Sequence, residues 1–127
     1  MSSPRVEKAM TKLKEAQRTL NEVIAETGMG KGHQALSNDI WRAFAKIEYA
    51  VLLLKLHLRV ENPGQLLKGP EITDDLGDEL VKSAELVSRA ILDIDRQRLQ
   101  GALLYARQGR DILREILLVI RKAQRAG

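Results

Sequence analysis

The stretch ILDIDRQRLQGALL, residues 91–104, decides how many helices this chain has. Upstream of it, Leu76, Leu80, Ala84, Val87, Ile91 and Ile94 recur at helical spacing and form one apolar face. Downstream, Leu99, Ala106, Leu113, Ile116, Leu117 and Ile120 form another. No proline or glycine lies between Ile94 and Leu99, yet the apolar phase slips there and Asp95 is a candidate cap. An unbroken helix from Thr73 to Arg125 would be ~80 Å long at the standard rise, too long for a compact domain of this size. The spacing therefore predicts a break near Asp93 to Gln97 and two separate helices.

The rest of the chain repeats the amphipathic pattern. A third helix opening at Thr73, a good N-cap, places Asp74 and Asp75 in the first turn, where the macrodipole favours acids. Before it, Asn62-Pro63-Gly64 ends a second helix running from about Ala35 to Glu61. Ile40, Phe44, Ile47, Val51, Leu54 and Leu58 are its core stripe. Trp41, Leu52, Leu53 and Leu56 widen that stripe, which predicts the most buried helix of the four. The first helix opens at Ser3-Pro4, carries Val6, Ala9, Met10, Leu13, Leu20 and Val23, and stops at the glycine-rich run 27–32. Four amphipathic helices with mostly short connections predict an all-α, antiparallel four-helix bundle spanning residues 1–127 as one domain. A three-helix core with one long bent C-terminal helix is the alternative.

Composition narrows the chemistry. With 127 residues, 44% hydrophobic, the chain can bury a real core without staples. It has no cysteine, which removes disulfides, thiolate zinc sites and cysteine nucleophiles together. The densest apolar stretch, Ala50 to Val60, is broken by Lys55, His57 and Arg59 and is far shorter than the ~20 residues a membrane span needs. A soluble, cytoplasmic protein with no membrane partner is the expectation.

Charge is unevenly placed. From Arg96 to Gly127 there are eight basic and two acidic residues, whereas the preceding 95 residues hold thirteen basic and fifteen acidic. The basic type shifts as well: seven Arg to one Lys in the C-terminal segment, five Arg to eight Lys before it. Arg is the better residue for bidentate contacts and desolvated interfaces. On a helical wheel Arg96, Arg107, Arg110, Arg114, Arg121 and Arg125 fall within an arc of ~60°, beside the apolar face. Leu103 and Leu118 share that arc, with Leu104 just beyond it. Six like charges on one face repel unless acids meet them. Asp111 offers Arg107 an i,i+4 partner and Glu115 lies nearby.

Three readings of this stripe compete. It is a solvated flank whose Arg stems cover the core edge and pair with Asp78, Glu79 and Glu85 of the preceding helix. It is a protein interface, because interface cores favour Arg over Lys and the arc interleaves Arg with Leu. Or it tracks phosphates, against which stand the modest net charge of +4 and an aromatic content of only 3%, too little for a base-stacking platform.

Other constellations lose to simpler explanations. The run Gly28-Met29-Gly30-Lys31-Gly32-His33 lacks the glycine spacing, the Ser or Thr after Lys and the preceding strand of a phosphate-binding loop. The acidic cluster Glu71, Asp74, Asp75, Asp78 and Glu79 has no second carboxylate pair on another helix to complete a magnesium site, Glu22 and Glu26 being solvent-facing, and helix-start chemistry accounts for it. His33 and His57 without cysteines make a poor transition-metal site. Trp41, Phe44 and Tyr49 read as core or edge packing. The sequence therefore points to no catalytic residue, metal or cofactor. It points to a non-catalytic adaptor or accessory subunit that binds a protein partner, or itself, through the Arg/Leu face of its last helix. A nucleic-acid-associated factor using the same stripe is the alternative, and a metal-dependent nucleotide hydrolase comes last.

Overall fold

A computed structural model describes residues 3–30, 33–59 and 75–126. They form four helices, α1 (Pro4–Gly28), α2 (His33–Leu58), α3 (Leu76–Asp95) and α4 (Leu99–Ala126), and no strand is present among them. Local chemistry sets the ends. The Ser3 hydroxyl accepts from the Arg5 N–H at 3.2 Å, and Pro4, which has no N–H to satisfy, sits in the first turn. At its far end Met29 N–H donates to the Ala25 and Glu26 carbonyls, and Gly30 takes the left-handed φ of 87° that turns the chain away.

Three boundaries differ from the expected ones. The N-cap of α3 is Asp75, not Thr73: its carboxylate accepts from Gly77 N–H at 2.6 Å. Thr73 and Asp74 lie outside the described residues, as do Lys31 and Gly32 of the glycine-rich run. α2 begins at His33 and ends at Leu58, with Arg59 at φ 54°.

The break between α3 and α4 falls at residues 96–98. Gln97 N–H donates to Ile94 C=O at 3.0 Å and Arg98 N–H to Asp93 C=O at 2.7 Å, the paired closing bonds of a Schellman turn. The residue at its left-handed position is Gln97, φ 60°, where glycine is the usual occupant. Four separate helices result, and the long bent C-terminal helix is not formed.

Each helix has two principal neighbours. α1 packs on α2 and α3, and α4 packs on α2 and α3. All four adjacent pairs are antiparallel. Arg5 near the start of α1 reaches Leu56 C=O near the end of α2 at 3.5 Å, while the Gly77 site at the start of α3 lies beside Thr27 at the end of α1. Ser83 on α3 bonds Gly109 C=O on α4, and Arg110 on α4 meets Glu48 on α2. α2 and α3 are consequently parallel across a diagonal, so α2 ends at one pole and α3 begins at the other.

Leu13, Leu20, Ile40, Ile47, Leu54, Leu80, Val87, Leu113 and Ile116 fill the shared core and are fully buried. Expected core positions Val6, Ala9, Val23, Phe44, Val51, Ala84, Ile94, Ala106 and Ile120 are buried with them, and Met10, Leu58, Leu76, Ile91, Leu99 and Leu117 pack at its edge. The expectation for α2 is overturned at three positions. Trp41, Leu52 and Leu56 are exposed. The reason is geometric: an apolar arc this wide cannot be covered by only two neighbouring helices.

Candidate interaction surface

α2 carries two apolar faces. At 100° per residue, Ile40, Ile47 and Leu54 define the inward line, while Trp41, Ala45, Leu52 and Leu56 fall roughly 120–180° away from it. Exposure follows this division: Ile40, Ile47 and Leu54 are wholly buried, and Trp41 is 58% exposed. Trp41 does not stand alone, since its ring stacks on Phe44 with centroids 5.3 Å apart.

α4 lies antiparallel beside this second face, and the seam between them is open. One hollow of about 380 Å³ is lined by Trp41 and Phe44 from α2 and by Arg114, Leu117, Leu118 and Arg121 from α4. A second, of about 370 Å³, continues past Trp41 to Leu52, Lys55 and Arg110. Trp41 and Phe44 line both, so the two form one groove. Its α2 wall is mainly apolar, and its α4 wall sets Arg110, Arg114 and Arg121 among Leu117, Leu118 and Ile120.

The arginine stripe does not act as one unit. Arg96 is not on α4 at all; it sits in the turn after α3, exposed at the C-cap. Leu103 is a core residue, 6% exposed, and cannot touch a partner. Arg110 is largely covered. Its Nε and Nη2 both donate to Asp111 Oδ1 at 3.1 Å, and Nη1 lies 3.8 Å from Glu48 Oε1. Arg114 shares the same Asp111 oxygen at 3.7 Å and reaches Glu115 at 4.0 Å. Asp111 thus serves Arg110 and Arg114 and not Arg107. Arg107 is half-buried, Arg121 and Arg125 are exposed, and none of the three has an ion pair among the described residues. Leu118 is 42% exposed, within the groove, and Leu104 is exposed further around the helix.

Carboxylates of α3 do not neutralise the stripe. Glu79 is nearly buried and pairs with Lys82 at 3.2 Å, and the arginines face α2 instead. Lys55 shows the resulting field: burial, then repulsion from Arg107 and Arg110, pushes its ammonium below the ordinary lysine range. Among the described residues no three His, Asp or Glu side chains gather as a metal-holding group. His57 lines a separate hollow with Glu7 and Asp95 near the α3–α4 turn.

Sequence reasoning found the basic wall and missed the apolar one. The signal was present in the spacing of Trp41, Ala45, Leu52 and Leu56, which recur by 4, 7 and 4 on the side away from Ile47. No helix among the described residues is long and apolar enough to cross a membrane. Compared with known proteins, the chain matches no family model, no curated protein and no solved structure.

Proposed function

We propose that this chain is a non-catalytic cytoplasmic interaction module, an adaptor or accessory subunit, that binds a protein partner along the α2/α4 seam. The observation that carries the reading is the second apolar face of α2, with Trp41 exposed beside Leu118, Arg114 and Arg121, and Leu52 exposed farther along the seam beside Arg110. Contiguous apolar surface of this kind, with Trp and Arg together, is the composition of interface centres. The chain has no cysteine, so no disulfide in it calls for an oxidising compartment.

The test is selection from an unbiased library of helical peptides, repeated with Trp41→Ser, with Leu118→Ser and with Val81→Ser as a control on α3. Binders lost in the first two variants and retained in the third support the seam. Equal binding by all, or no binders, refutes it. Duplex binding that weakens steeply with salt and collapses in Arg114→Glu/Arg121→Glu would replace the protein partner with nucleic acid.

A further inference from the structure

Resting on that reading, we infer that the occupant of the α2/α4 groove is an acidic amphipathic helix of about five turns, its apolar stripe on Trp41 and Leu52 and its carboxylates toward Arg114 and Arg121. Length comes from the groove. Ser37 and Lys55 mark its ends on α2, a separation of ~27 Å at the standard helical rise. On α4 the lining runs from Arg110 to Gln124, ~21 Å at the same rise.

The charge of the occupant follows from the wall opposite Trp41. α4 holds six basic residues and two acidic ones. Both acids are already engaged with Arg110 and Arg114. An incoming carboxylate would meet Arg121 and the outer edge of Arg114, with Lys55, Arg107 and Arg110 adding to the positive field. A neutral helix would cover the apolar wall and desolvate Arg121, which lines the groove with no ion pair among the described residues, and that is costly. A second copy of the chain would bring the same excess of basic over acidic residues on its own α4 to the seam, and so would add cations where acids are wanted. A nucleic acid would gain from the cations and bury Trp41 and Leu52 against its charged backbone for nothing. The α2 wall asks for apolar side chains spaced for one helical face, and the α4 wall asks for acids on one flank of that face only. An amphipathic helix supplies both.

Trp41 is the sole tryptophan, so its emission reports this groove alone. Three 18-residue peptides serve as probes: Leu along one face with Glu on the adjacent flank, the same peptide with Gln, and the same with Lys. Expected is a blue shift of Trp41 emission with the Glu peptide, an affinity that falls with salt, and binding about tenfold tighter than that of the Gln peptide. Arg114→Glu/Arg121→Glu should weaken the Glu peptide about tenfold and admit the Lys peptide. Equal binding of all three peptides, lost in Leu52→Ser/Leu118→Ser, would keep the seam as an interface and overturn the acidic occupant. No peptide binding, with Trp41 already emitting as a buried indole in a sedimenting dimer, would assign the groove to a second copy. Quenching by duplex alone would assign it to nucleic acid. A monomer that binds none of these would refute both the occupant and the interface.

Discussion

Gln97 is the residue on which the four-helix count turns, and one substitution tests it. At φ 60° it pays the left-handed penalty of a residue with a Cβ, ~1–2 kcal/mol. Glycine removes that penalty and adds unfolded-chain freedom worth ~0.5–1 kcal/mol. Gln97→Gly should therefore stabilise the protein by about 0.5–1 kcal/mol, a rise of ~2–4 °C in Tm. The two closing hydrogen bonds are backbone to backbone and survive the change. The control is Gln108→Gly, the same chemical replacement at an exposed position inside α4, which should cost ~0.5–1 kcal/mol because glycine is a poor helix former. Urea titrations and thermal melts followed by circular dichroism at 222 nm read both values on the order of their size. Equal losses in the two variants would mean that residue 97 is helical like residue 108. The turn, and with it the separation of α3 from α4, would then be wrong.

Three further outcomes are expected. At Gly109 an added Cβ would meet Ser83 O at 3.4 Å and Leu86 and Val87 at 3.5 Å, so Gly109→Ala should be neutral or stabilising by up to ~1 kcal/mol, whereas Gly109→Leu should push α3 from α4 and cost ~1–3 kcal/mol in the same melts. Asp75→Ala removes the oxygen that accepts from Gly77 N–H and should cost ~1 kcal/mol, read from urea midpoints. The Lys46 ammonium, hydrogen-bonded at 2.9 Å, holds Glu15 below the ordinary carboxyl value of 4.5, so its contribution is present above that value and is lost as pH falls through the lower folded one; the stabilities of the protein and of Glu15→Gln should converge on acidification, and a gap independent of pH would refute the linkage.

Most of the fold was legible in the sequence because helical packing leaves a period. The buried line Ile40, Ile47, Leu54 and its counterparts on the other helices follow 3.6-residue spacing, and Ser3-Pro4 announces its own helix start. The α3–α4 turn was legible only as a phase slip. A Schellman turn usually shows its glycine, and here Gln97 occupies that position, so no residue type marks the spot. The fate of the arginine arc was not legible for a different reason. An arc of ~60° straddles the edge of a helix interface, where a few tens of degrees separate burial from exposure. Leu103 and Arg110 fall on the inner side and are covered by the bundle; Leu118 and Arg125 fall on the outer side and are open. Arg96 could be counted with them only while α4 was taken to begin before Leu99.

The basic end of α4 has a competing explanation in the helix itself. Cations near a helix C-terminus complement the macrodipole, and Arg125 stands in the last turn. That effect fades within one turn, so it accounts for Arg125 and leaves Arg107, Arg114 and Arg121 without a reason. α2 likewise carries Lys55 and His57 in its last turn, whereas α1 and α3 place no basic residue there. Arg114 and Arg121 line the seam opposite Trp41, and Arg107 lies near enough to Lys55, at the far end of that seam, to repel it. α2, with only two principal neighbours among the described helices, keeps a second apolar face that none of them covers. The two anomalies, apolar side chains facing water and cations in excess of their acids, occur on opposite walls of one groove. A single amphipathic helix of negative flank removes both, and no rearrangement of the four helices does, because turning α2 to hide Trp41 would bring Ile40, Ile47 and Leu54 out of the core.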